Sequence, residues 1–243
     1  MGFFDGVGEF FSGLTSAVSD FFSGVVELIE SVGLNNIAEL AAAIAAIAIP
    51  GIGLPELIMA IAAIAEVVGL IAKVLGLNDN ENEAEEIGFK SEIADMKPED
   101  FDNNMSEYNK YLSNYKLNEE DKERFDLLTE DEKLRYKVMG LGIQLLGIES
   151  ELSITNLSEC VRDLTIAKMS KEDISECVQA CARDGVTDMT DITSYLTDKT
   201  TIESKEIIGE ALTSAISTRY PELSKSDIVM KLGDIAEVLN NLE

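Results

Sequence analysis

The side chains with the strongest intrinsic chemistry are few in this chain. Three cysteines, Cys160, Cys177 and Cys181, are the only thiols, and there is no histidine. Without histidine, one subunit cannot assemble a Ser-His-Asp or Cys-His catalytic group, nor a histidine-ligated zinc or haem site. Cys177 and Cys181 stand four apart on one expected helix, which is not C-x-x-C redox spacing, so all three are read as free, buried, small apolar groups. The glycines of Val138-Met-Gly-Leu-Gly-Ile-Gln-Leu-Leu-Gly147 resemble a phosphate loop only superficially. No strand precedes them and no Lys-Ser/Thr follows, so they are assigned to close helix contacts instead. Tyr108, Tyr111 and Tyr115 fall on one helix face and read as a core or interface stripe. Carboxylates abound, yet Asp79–Glu83 lacks the glycine and spacing of an EF-hand loop. The expectation is no catalytic residue, no metal and no cofactor.

Two carboxylates stand out by where they lie. Glu56 and Glu66 are the only charges between Leu40 and Ala72, a stretch built of alanine, isoleucine, leucine and valine. A carboxylate in such surroundings favours its neutral form, so these two are the candidate titrating groups.

The elements that carry them follow from pattern. Residues 37–77 read as two apolar helices around a turn at Pro50, Gly51, Gly53 and Pro55, with Pro55 suited to the first turn of the second helix. The first is too short to cross a bilayer; the second, from about 54 to 77, is long enough but holds Glu66 near its middle. Upstream, Phe4, Val7, Phe11, Leu14, Val18, Phe21, Val25, Leu28 and Val32 alternate by three and four, an amphipathic helix of about four heptads. Gly6, Gly8, Gly13 and Gly24 each cost about 1 kcal/mol relative to alanine, so this stripe needs a surface to pack on: the protein's own helices, identical copies or lipid.

The apolar hairpin, IAELAAAIAAIAIPGIGLPELIMAIAAIAEVVGL, resembles that of pore-forming bacteriocins of the colicin type. The opening MGFFDGVGEFFSGLTSAV resembles the Gly/Phe-rich amphipathic starts of phage-encoded virion and envelope-crossing proteins. Both resemblances imply engagement of a bacterial envelope.

From residue 84 onward, short polar breaks separate helices expected at about 84–95, 104–115, 119–127, 130–150, 156–168, 171–183, 188–197, 201–218 and 225–241. Thr129-x-x-Glu132 and Thr200-x-x-Glu203 fit capping boxes, and Ser170 and Ser224 supply further starts. Strand signals are almost absent, so the fold class is all-α, a multi-helix bundle.

Composition divides the chain after Asn78. Residues 1–78 carry one base, Lys73, against eight acids; residues 79–243 carry the remaining 18 bases and 38 acids. Domains are therefore expected at 1–78, apolar, and 79–243, acidic and helical. The formal charge of −27 opposes nucleic-acid binding. At 46% hydrophobic residues the chain is no disordered polyanion. No secretory signal is recognised, so the expected location is a virion, or secretion by another route, with the cytoplasm as alternative. The expected function is a non-enzymatic, membrane-active protein without a small-molecule substrate. The alternative is an assembly protein whose N-terminal helices pack in a homo-oligomer or larger particle.

Overall fold

The computed structural model describes residues 16–32, 37–48, 52–78, 84–200 and 202–241. They form twelve α-helices and one 3-10 turn: α1 (Ser16–Val32), α2 (Ile37–Ala45), α3 (Leu54–Val74), α4 (Ala84–Ile93), the turn Pro98–Phe101, α5 (Met105–Asn114), α6 (Glu119–Asp126), α7 (Glu130–Leu152), α8 (Leu157–Ile166), α9 (Lys171–Arg183), α10 (Thr190–Leu196), α11 (Ile202–Arg219) and α12 (Lys225–Asn240). Among the described residues there is no strand, only an isolated parallel bridge between Thr155 and Asp188. The fold is an all-α multi-helix bundle.

The axis of the bundle is α7. Thr129 and Glu132 cap its start reciprocally, side chain to backbone in both directions, as the sequence predicts. Val138 to Leu145 is buried without a break, and a helix apolar and covered all round lies at the centre of its domain. What permits neighbours on every side is the run of glycines. A Cβ at Gly140 would come 1.8 Å from the Ala84 carbonyl oxygen, and one at Gly88 would come 2.0 Å from that of Tyr136. Helices α4 and α7 therefore cross backbone to backbone. Gly142 makes room for Leu40 and Ile44 of α2, and Gly147 for Asn109 of α5.

Helices α1, α2 and α3 all pack on α7, and α3 also lies against α8 and α9. The expected hairpin is thus arranged differently from a self-contained pair: α2 and α3 make their main contacts with the body of the protein rather than with each other. The physical reason is α7 itself: Gly142 admits Leu40 and Ile44 of α2, while α3 buries its large aliphatic side chains against α7, α8 and α9. One continuous core runs from Val18 to Leu239, so helices on both sides of Asn78 share it.

A second group of helices, α9, α11 and α12, is joined by a buried charge. Asp173 is fully buried beneath them. Its carboxylate accepts from Arg219 Nε at 2.8 Å and from the Tyr220 hydroxyl at 3.3 Å, with Lys231 Nζ at 3.1 Å. Both cations also lie over the Tyr220 ring, at 5.5 and 5.0 Å from its centre.

Candidate functional site

The site begins with the composition of α3, Leu-Pro-Glu-Leu-Ile-Met-Ala-Ile-Ala-Ala-Ile-Ala-Glu-Val-Val-Gly-Leu-Ile-Ala-Lys-Val. Gly53 precedes it in an extended conformation and Pro55 occupies its first turn, where a missing N–H costs nothing. Glu56 turns its carboxylate back toward Gly53, so the expected titrating group sits at the positive end of the helix dipole. Lys73 occupies the last turn, where the same dipole favours a cation. Pro50 and Gly51 of the expected turn lie outside the described residues.

One side of α3, with Leu57, Ile61, Ile64, Val67, Val68 and Ile71, is buried in the core. The other side is also apolar but open. Met59 is 66% exposed, Val74 56% and Ile58 41%, and Ala62 and Ala63 continue the exposed stripe between them. Gly69 on this side faces open space. Among the described residues, α3 is the one helix long and apolar enough to cross a membrane. At 21 residues it spans about 31 Å, against a hydrocarbon core of about 30 Å.

Glu66 interrupts the open stripe at mid-length. Its carboxylate accepts a hydrogen bond from Lys171 Nζ, at the first turn of α9, at 2.9 Å. That bond raises the Lys171 ammonium above its ordinary range, with the nearby Glu66 charge adding to the effect. The pair is largely exposed, and such pairs contribute little to stability in water. Its consequence is neutralisation: the one charge in the middle of the apolar helix is matched locally. At the neighbouring helix end, Arg162 Nη1 donates to the Ala46 carbonyl just beyond α2 at 2.6 Å.

The described part of the amphipathic stripe is not open. Val18, Phe21, Val25 and Val32 are buried and Leu28 is half-buried, with α1 laid against α7. Phe4, Val7, Phe11 and Leu14 lie outside the described residues.

Elsewhere the chemistry is subdued. Cys160, Cys177 and Cys181 are free and buried, and burial pushes all three thiols up, Cys181 to about 12. Protonated and covered, they are not nucleophiles. No cluster of metal-ligating side chains occurs among the described residues. Tyr108 is fully buried and stacks with Tyr111, which meets Tyr115 edge-on, so the tyrosine stripe packs within the structure. Sequence reasoning missed the Asp173 centre and the bonds from Tyr136 and Arg124 to Glu92. In both, the partners are 32 to 58 residues apart, and each looks in sequence like an ordinary surface charge.

A scan against protein-family models, a search of curated proteins and a search of solved structures each find no match to this chain.

Proposed function

We propose that this is a non-enzymatic, membrane-active helical protein in which α3 is the element that meets lipid. The observation that carries the reading is the bare apolar side of α3: Ile58, Met59, Ala62, Ala63 and Val74 lie at the surface of a helix whose other side is equally apolar. A helix apolar all round suits a bilayer once it leaves its partners. Its length matches the hydrocarbon core, and Glu56 and Lys73 stand near its two ends. Glu66 is the obstacle, since an unpaired carboxylate at mid-membrane costs several kcal/mol. Likeness of residues 37–70 to the colicin-type hairpin favours a bacterial envelope as target.

The test is flotation with phosphatidylcholine vesicles and dye release from them, at pH 7 and pH 4.5. Ile58→Glu and Met59→Glu change exposed positions, leave the core intact and are expected to abolish flotation. Glu66→Gln is expected to raise dye release several-fold at pH 7. Absence of flotation and release at both pH values for the unaltered protein overturns the reading.

A second reading, self-assembly through the same face, draws on Gly69 and the exposed alanines, which would admit another helix closely. It predicts a defined oligomer by light scattering in detergent-free buffer that dissociates in Met59→Glu.

A further inference from the structure

We propose that α6 is a strap that opens by itself, between Leu117 and Leu128, while the bundle beneath it stays folded. The segment carries little that holds it down. Seven of its eight residues are charged, five acids and two bases, and none is buried. Six are exposed, and only Asp121 and Phe125 are half-buried. The backbone of α6 runs close to no other helix over any length. Leu127, just past its end, does not anchor it either, being 83% exposed. On each side, the half-buried Leu117 and Leu128 rest on the core and mark where the strap begins and ends.

What keeps α6 in place is a latch of two adjacent side chains. Arg124 Nη2 donates to Glu92 Oε1 on α4, while the Tyr136 hydroxyl on α7 donates to the other oxygen of the same carboxylate. The Arg124 guanidinium also lies over the Phe89 ring, 5.3 Å from its centre, and the Phe125 ring packs on Phe89 at 5.2 Å. The hydrogen bonds, ion pairs and ring contacts from α6 to the body of the protein all pass through these two residues. The others are internal: Asn118 caps the start of α6, and Lys122 pairs with Glu119. Beneath the latch Phe89 is fully buried and Tyr136 nearly so. Their cover is thin, since the Arg124 side chain is itself half exposed and such ion pairs contribute little in water. Segments with few buried apolar contacts open at free energies well below that of global unfolding. Opening breaks the contacts of Arg124 and Phe125 together and bares an aromatic face, Phe89 and Tyr136, with the Glu92 carboxylate beside it.

The strap is separate from the open face of α3 and stands or falls without it. Hydrogen–deuterium exchange of the full chain at pH 7, read by mass spectrometry in urea below the unfolding midpoint, tests it. Amides of residues 122–128 are expected to exchange roughly a hundredfold faster than those of 138–148 in α7, at a rate that low urea leaves unchanged. Arg124→Ala and Glu92→Gln are each expected to speed exchange in 122–128 by about fivefold or more and to leave 138–148 as they were. Because both remove the same ion pair, the double variant is expected to gain less than the two single effects combined. Lys122→Ala, whose pair lies within α6, is expected to leave the opening unchanged. Protection of 122–128 equal to that of α7 overturns the proposal. So does exchange that fails to rise in either variant, or that rises equally in both segments.

Discussion

Gly140 joins α4 to α7 through the side chain it lacks. Its missing Cβ lets α4 reach the α7 backbone, and the atom in the way is a carbonyl oxygen, which has no rotamer to escape by. Overpacking of this kind costs about 1–3 kcal/mol and sometimes more. Gly140→Ala should therefore lie at or above the top of that range, read as a lowered urea midpoint. Gly69→Ala is the natural control, because its Cβ meets nothing; removing a helical glycine should stabilise the protein by about 1 kcal/mol. The thiols give a second residue-scale test. With Cys160, Cys177 and Cys181 buried and held protonated, a thiol-specific disulfide reagent should find none in the native protein at pH 8 and three after unfolding in urea. Fast reaction of even one native thiol contradicts the packing of α8 against α9.

Among the elements, α5 and α7 are joined by a group whose charge depends on pH. Hydrogen bonds from Ser106 and Lys110 hold the Glu151 carboxyl below the usual carboxylate range. A depressed folded-state value means that this contribution is present above the unfolded value and lost as pH falls through the folded one. Stability should accordingly decline on acidification below about pH 4.5, the ordinary glutamate range. Glu151→Gln should flatten part of that slope while costing less than about 1 kcal/mol at pH 7, because the pair is partly exposed. Urea midpoints measured from pH 7 to pH 3 in both proteins decide this. Helix α3 differs from its neighbours in kind. Its exposed side presents Ile58, Met59, Ala62, Ala63 and Val74 with Glu66 among them, whereas α12, which also exposes Val229, Met230 and Val238, sets them among the exposed Asp227, Asp234, Glu237 and Asn240.

For the whole molecule, the division of charge at Asn78 does not coincide with a division of the core. Leu40 and Ile44 fill the space over Gly142, and Arg135 lies against Gly24, so α7 is complete only with the N-terminal helices in place. A chain beginning at residue 79 should bind a hydrophobic dye strongly and unfold with a broadened transition, whereas the full chain should unfold in one step by both circular dichroism and tyrosine fluorescence. The acidic surface of the later helices then offsets the apolar face of α3 in solution, since a strong net charge opposes association.

Local patterns determined the helices. Thr129, Ser170 and Ser224 cap where the spacing to Glu132, Asp173 and Asp227 predicts, and the expected ranges from 84 to 241 match the observed helices to within a few residues at each end. Capping, periodicity and proline position act over four to seven residues, so they are written into consecutive sequence. The assignment of Gly140, Gly142 and Gly147 to helix contacts was legible for the same reason: they recur within a helical segment that lacks loop chemistry. The partners were not legible. Which helix each glycine admits, that Asp173 gathers Arg219, Tyr220 and Lys231 beneath three helices, and that Glu66 meets Lys171 across 105 residues all depend on long-range packing. Along α3 the exposed Glu56, Glu66 and Lys73 mark the outer side in sequence, but Ile58, Met59 and Val74 on that side are as apolar as the residues of the buried side. The placement of α7, α8 and α9 along one side decided how far the core reaches around α3, and so left Ile58, Met59 and Val74 at the surface.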